Sequence, residues 1–277
     1  MADNATVEAP PTLEGWYVLH DVYAFDWTSW YSLDDEERGE LSGELSAWLD
    51  ASAAVDKGDS AAFSVIGHKG DLMFVHYRES PDTLAAVERS LRSLAFNDLL
   101  LPAYSYLSVI EVGLYEAMAM AALRLGERGI ERGSKEFDEA FGDELETQKE
   151  KLSSRLYADV PTTHYICFYP MSKRRGESVN WYTLPLEERR RMMRGHGSIG
   201  HKWAGQVTQV IGGSVGLDDW EWGVSLYADD PLVFKKLVYE MRFDEASAKY
   251  AEFGPFYVGV RHDEASLVNF LAEGESD

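Results

Sequence analysis

Apolar and polar side chains alternate over two short stretches, Trp16 to Val22 and His164 to Tyr169, the period of a strand. The same phrase follows both. Trp30-Tyr31-Ser32-Leu33-Asp34-Asp35-Glu36-Glu37-Arg38 returns as Trp181-Tyr182-Thr183-Leu184-Pro185-Leu186-Glu187-Glu188-Arg189, displaced by 181 − 30 = 151 residues, which marks an internal repeat. Each phrase leads into a helix-like stretch, and Pro185 suits a first helical turn. Alternation resumes at Leu72 to Tyr77 and at Trp222 to Ala228, at nearly the same displacement. Further helices start near Pro81 and Pro231, and last strands are predicted at Leu107 to Val112 and Phe256 to Val260. The order strand, helix, strands, helix, strand is that of a ferredoxin-like unit on antiparallel sheet. The predicted fold class is α+β: two ferredoxin-like repeats packed as a dimeric α+β barrel within one chain, helices outside.

The repeats place a structural unit at residues 12–112 and a second, site-bearing unit at 161–262. Between them, 113–160 reads as an acidic, helix-prone connector lying over the surface (Glu136, Asp138, Glu139, Asp143, Glu144, Glu146). The first ten residues and the final Gly-Glu-Ser-Asp are expected to fray.

The chain has 277 residues, 45% of them hydrophobic, enough for one large domain or two smaller ones. No apolar run approaches the ~20 residues of a membrane span, and Met-Ala-Asp-Asn opens no signal-peptide pattern. A single cysteine, Cys167, cannot form an internal disulfide and reads as a small core residue. A soluble, cytoplasmic protein is expected. Acidic side chains outnumber basic ones, 48 to 26, for a net charge of −22. Such a surface repels nucleic acid and anionic membranes and suits a halophilic source. Yet Pro161 to Val210 carries Lys173, Arg174, Arg175, Arg189, Arg190, Arg191, Arg194 and Lys202 against Glu177, Glu187 and Glu188, or 8 − 3 = +5. This basic island asks for an anionic ligand, although Arg189 to Arg191 fit a solvated helix face.

Going back 151 residues from Tyr169, Lys173 and His196 reaches Val18, Val22 and Leu45, so the polar set belongs to the second copy. None of the seven histidines has a zinc spacing, and His196 and His201, five apart, do not share a helix face well. His196, in Arg-Gly-His-Gly-Ser-Ile-Gly, is flanked by glycines that let something bulky approach. One neutral imidazole is what a proximal heme ligand supplies; a solvated or hydrogen-bonded loop histidine is the plainer alternative. Gly212-Gly213-Ser214-Val215-Gly216 lacks the spacing and lysine of a phosphate cradle and reads as a turn between strands.

From Tyr169-Pro170-Met171-Ser172-Lys173-Arg174-Arg175-Gly176-Glu177 through Asn180-Trp181-Tyr182, His196-Gly197, Val207 to Gly216, Asp218-Asp219-Trp220-Glu221-Trp222-Gly223 and Phe234 to Tyr250, the sequence resembles the coproheme decarboxylase branch of the chlorite dismutase-like family. The likeness covers nearly all of Tyr165 to Val260, while the first copy matches mainly in layout. It implies a pair of ferredoxin-like units forming a barrel, usually in a homopentameric ring. Carried over by position, His196 resembles the iron ligand, Tyr169 the redox-active tyrosine and Lys173 the lysine beside the reacting propionate. Arg155 and Ser247 resemble propionate contacts. Gln209 stands where this branch has a distal glutamine and chlorite-degrading relatives an arginine, which puts chlorite chemistry in doubt. The implied activity is oxidative decarboxylation, by hydrogen peroxide, of two propionates of iron coproporphyrin III to give heme b, the porphyrin being both substrate and redox centre. The alternatives are a heme peroxidase or chlorite dismutase on the same fold, and a heme-binding protein without turnover.

Overall fold

The computed structural model describes residues 9–272, so nearly all of the ends predicted to fray lie outside the described residues. The first half runs β1 (Thr12–Phe25), α1 (Trp27–Trp30), α2 (Asp35–Ala53), β2 (Gly58–Val65), β3 (Leu72–Arg78), α3 (Pro81–Arg92) and β4 (Leu100–Gly113). Two helices follow, α4 (Tyr115–Glu127) and α5 (Lys135–Leu156). The second half runs β5 (Tyr165–Lys173), α6 (Leu186–Lys202), β6 (Thr208–Gly213), β7 (Trp222–Ala228), α7 (Leu232–Met241), α8 (Glu245–Tyr250), β8 (Ala251–Phe253) and β9 (Tyr257–His262), and α9 (Glu264–Ala272) ends it. The helix starts follow sequence rules. Asp34 and Glu37 form a reciprocal capping box on α2, and Ser80 with Thr83 does the same for α3, where Pro81 opens the first turn.

Strands pair in the order β4-β1-β3-β2 in the first half and β9-β5-β7-β6 in the second, all antiparallel. β2 pairs with β9 and β4 with β6, so the pairing runs round a closed ring, and the short β8 adds to the far end of β5. Closure explains why several strands are longer and less alternating than the sequence suggests. Their inward faces supply one core (Val18, Phe63, Val75, Tyr106, Phe168, Tyr227), while helices cover the outward faces, so β3 is buried at every position. The β4–β6 seam is short, and there Gly212 and Gly213 belong to β6 rather than to the expected turn. A Cβ at Gly212 would collide with the Ser108 side chain across the seam.

Pairing also corrects the repeat register. β3 and β7 have equal length and are displaced by 222 − 72 = 150 residues. Phe74 pairs with Asp21 and its counterpart Val224 with Tyr169. Tyr169 therefore corresponds to Asp21 and Lys173 to Phe25, a displacement of 148 rather than 151. The difference is taken up between strand end and Trp-Tyr phrase.

Two further expectations change. The connector does not merely lie over the surface: Leu114, Met118, Leu156 and Val160 pack into the barrel's inner cluster, and the Leu156 carbonyl approaches Gly15 too closely for any side chain there. The unpredicted α9 crosses back to the first half. Its Leu267 and Leu271 join Trp30, Leu45, Trp48 and Phe74, and Trp30 Nε1 donates to the Leu271 carbonyl at 3.0 Å.

Candidate functional site

In the second half, Cys167, Tyr169, Met171 and Lys173 project from the outward face of β5, because alternate residues of a strand share a face. Tyr169 and Lys173, four residues apart, are thus roughly 13 Å apart along the strand. The layer above them holds Val224, Leu226, Phe234 and Leu237, and α6 runs past it. His196 lies in the body of α6, not in a loop. The glycines around it are helical despite a cost of about 1 kcal/mol each relative to alanine. A Cβ built at Gly195 or Gly197 meets nothing within 4 Å, so the helix surface beside His196 is open.

His196 Nδ1 lies 3.0 Å from Asp244 Oδ2. A carboxylate only accepts, so Nδ1 carries the hydrogen of this bond, and in the neutral imidazole Nε2 is the nitrogen with the free lone pair. Burial pushes the Asp244 carboxyl up, but bonds from His196 and Ser247 outweigh that and hold it at about 2, as a carboxylate. Asp244 also caps α8 by accepting from the Ser247 amide at 3.0 Å. That places the Ser247 hydroxyl 3.5 Å from His196 Nδ1.

Lys173 is buried, a rare state for a lysine. Its Nζ donates to the Ala246 carbonyl at 3.4 Å and lies 4.7 Å from the centre of a Trp181 ring. Burial pulls its pKa down to about 8, and the Asp244 and Glu221 carboxylates oppose the fall. Glu221, itself buried, accepts from the Lys173 amide at 2.7 Å. Tyr169 stacks on Phe256 at 4.4 Å, and burial drives its phenol pKa well above the ordinary value, Cys167 adding to the rise and Arg242 opposing it. The Arg242 guanidinium lies 3.7 Å from the centre of the Phe253 ring, which also touches Tyr169. Gln209 shares the outward face of β6 with Ile211, and its amide nitrogen would lie 3.5 Å from a Cβ at Gly200 of α6.

His196 and Ser247 thus meet at Asp244, and the Asp244 charge reaches Lys173. Tyr169 and Gln209 occupy the same layer. Arg155 does not join them: it is exposed in the last turn of α5, a helix that packs on β1 and β4, and no contact among the described residues links it to His196. The basic island is largely neutralised by acids brought from elsewhere. Arg175 meets Glu221, Arg174 Glu252, Arg191 Glu245, Lys202 Glu240, and both Arg190 and Arg194 meet Glu116 of α4. Arg189 is buried, not solvated. Sequence reasoning missed Asp244, Glu221 and Arg242; only the capping pattern Asp244-Glu245-Ala246-Ser247 signals one of them.

At the corresponding places the first half has different residues. Leu45, at the place of His196, is fully buried with Trp48 and Phe74 under α9, and Asp21 stands at the place of Tyr169.

A closed antiparallel α+β sheet ring, with a helix-borne imidazole oriented by a carboxylate on one outer face, defines the class of protein. The family model described as chlorite dismutase matches residues 40–262, and the chain belongs to that family. It is 41% identical to a solved structure described as a novel heme-binding protein from Thermus thermophilus, over 96% of this chain and 98% of that one, with a TM-score of 0.81. A putative chlorite dismutase is 16% identical, over 94% of this chain and all of that one (100%), with a TM-score of 0.69. A mutant chlorite dismutase from Candidatus Nitrospira defluvii is 17% identical, over 94% and 97%, with a TM-score of 0.70; at such identity the likeness is one of fold. Among the described residues no helix is long and apolar enough to cross a membrane.

Proposed function

We propose that the chain binds iron coproporphyrin III through His196 and, with hydrogen peroxide, converts two propionates into vinyl groups with loss of carbon dioxide, giving heme b. The observation that carries this reading is the His196–Asp244 pair. It leaves Nε2 as a fixed, basic donor, as iron ligation requires, in the layer that holds Tyr169 and Lys173. The donor set fits an iron porphyrin: one imidazole, open helix surface beside it, an apolar bed and a buried ammonium group. When bound, the iron porphyrin supplies the oxidising power drawn from peroxide.

The chain's own groups do the rest. Asp244 fixes the imidazole tautomer and the orientation of its ring. Tyr169, kept protonated by burial, can lose an electron and a proton together and, as a phenoxyl radical, take hydrogen from the β-carbon of a propionate. Lys173 holds the carboxylate by a charge-assisted hydrogen bond, and with a pKa near 8 it exchanges a proton close to neutrality. For each side arm, the propionic acid and one peroxide give one vinyl, one carbon dioxide and two waters. Gln209 faces the site as a neutral amide, where chlorite chemistry is expected to need a cation. Ser247 would contact a remaining propionate, whereas Arg155, expected in the same role, stands apart on α5.

The same proposal takes residues 12–112 and 161–262 as duplicated ferredoxin-like units joined by 113–160, supported by their shared strand order. It takes the chain as a cytoplasmic homopentamer, to be tested by its mass in solution; exposed Leu232, Tyr239 and Phe243 on and beside α7 favour self-association.

Purified protein given iron coproporphyrin III and peroxide should show two successive losses of a carboxyl group in the porphyrin's mass spectrum. Tyr169→Phe should bind the porphyrin and stall, and His196→Ala should change the iron's optical spectrum. A heme-binding protein without turnover is the second reading, favoured by how the 41% identical relative is described. Bound but unaltered porphyrin would select it, and oxygen release from added chlorite would select a chlorite dismutase.

A further inference from the structure

We propose that Trp181 is a positioning residue for Lys173, its indole face forming a seat that keeps the ammonium group buried, charged and aimed at an incoming carboxylate. The proposal rests on the reading that Lys173 binds a propionate, and adds how the chain prepares that lysine.

The geometry is local and specific. Lys173 Nζ lies 4.7 Å from the centre of a Trp181 ring, and both residues are almost wholly buried. Trp181 is itself held edge-on against Tyr250 at 5.4 Å, beside Met192 and Ala246. A buried ammonium group loses most of its hydration, so it needs replacement partners. One hydrogen bond of 3.4 Å to the Ala246 carbonyl is a weak replacement, and the ring's electron-rich face supplies attraction where water is excluded.

The repeat makes the same point independently. Trp30 is the first-half copy of Trp181, and strand register makes Phe25 the counterpart of Lys173. Trp30 packs edge-on against Phe25 at 5.6 Å. Both halves therefore set the phrase tryptophan against the last residue of their first strand. In the first half that contact joins two aromatic rings, and in the second it seats a cation. The charged groups facing Lys173 complete the seat: Asp244 ahead of α8, with His196 beyond it, and Glu221 ahead of β7, with Arg175 at 3.5 Å behind that carboxylate.

The seat is testable on the protein without any porphyrin. Competitive acetylation with acetic anhydride across a pH series, read by mass spectrometry at Lys173, reports the titration midpoint and accessibility of that amine. Exposed Lys202 serves as an internal reference. Trp181→Leu should move the Lys173 midpoint down and raise its labelling at pH 7 roughly three- to tenfold, the range expected for a desolvated cation–π contact. Trp181→Phe should retain most of the effect. Since Trp181→Leu could also loosen the surrounding core, tryptophans bearing increasing numbers of fluorines, incorporated at 181 alone, weaken the ring face without changing its shape. A stepwise fall in the Lys173 midpoint with fluorination supports the seat, and a flat series overturns it. The functional reading fails separately: if Lys173→Met binds and converts iron coproporphyrin III like the parent while the fluorination series slopes, the seat stands and the propionate role falls.

Discussion

Replacing Asp244 with Asn removes one charge and keeps the side chain's shape, so it separates two jobs of that residue. The amide oxygen can still accept from the Ser247 amide, as Asp244 does at 3.0 Å, and Asn is as good a helix cap as Asp. The cap is therefore retained, and folding stability should fall only by what the His196 bond loses, at most about 3 kcal/mol. The 3.0 Å bond to His196 Nδ1 loses its charge assistance, and such bonds contribute about 1.5–3 kcal/mol. Losing a carboxylate behind a ligating imidazole lowers metal affinity by about 10–100-fold. At 1.4 kcal/mol per factor of ten this is about 1.4–2.8 kcal/mol, in line with the bond itself. The measurement is a titration of parent and variant with iron porphyrin, followed by the Soret absorbance, with urea unfolding of the porphyrin-free proteins as control. Equal affinity in two equally stable proteins would refute the reasoning that Asp244 tunes an iron-binding imidazole.

Asp21, at the first-half place of Tyr169, is buried, which together with the nearby Glu88 raises its carboxyl from 3.8 to about 6. It binds its proton more tightly folded than unfolded, so the penalty is absent below pH ~4 and grows as pH rises through 6, reaching about 3 kcal/mol at pH 8. Asp21→Asn should accordingly gain about that much more stability at pH 8 than at pH 4 in urea unfolding, and an equal effect at both pH values would contradict it. Trp30→Ala removes a buried indole and its bond to the Leu271 carbonyl, and should cost about 3–5 kcal/mol in the same assay while exposing α9 to proteolysis. Gly197→Ala adds a methyl group where nothing lies within 4 Å and should stabilise the porphyrin-free protein by up to ~1 kcal/mol while weakening porphyrin binding, both read from unfolding and titration curves.

Residue pattern made the architecture legible because the Trp-Tyr phrase and the alternating stretches occur twice along the chain. The Trp-Tyr phrase, the prolines at 81, 185 and 231 and the paired alternations fixed element order, and β7 falls on the predicted Trp222 to Ala228. Strand ends were less readable. In a closed ring both faces of a strand are covered, so β1 and β4 extend well past the alternating stretches. The glycines around His196 suggested a loop, but tertiary packing of α6 against α7 and α8 overrides their weak helix propensity. α9 was not read from the pattern, although it follows β9 as α4 follows β4, at a displacement of 264 − 115 = 149, and each of the two helices packs on the other half, α9 on α2 and α4 on α6.

Sequence by itself determined the α+β class and pointed to the second half as bearer of the polar set, which follow from residue identity and spacing along one chain, while the candidacy of His196, Tyr169 and Lys173 came from the family resemblance of the segments that hold them. The tertiary structure decided the partners. It set Asp244 against His196, buried Lys173 over Trp181, paired the arginines of the basic island with acids from other elements, left Arg155 apart, and sealed the first half with α9. The physical reason is that charge, burial and tautomer depend on neighbours brought together by long-range contacts, and spacing along the chain does not specify those contacts.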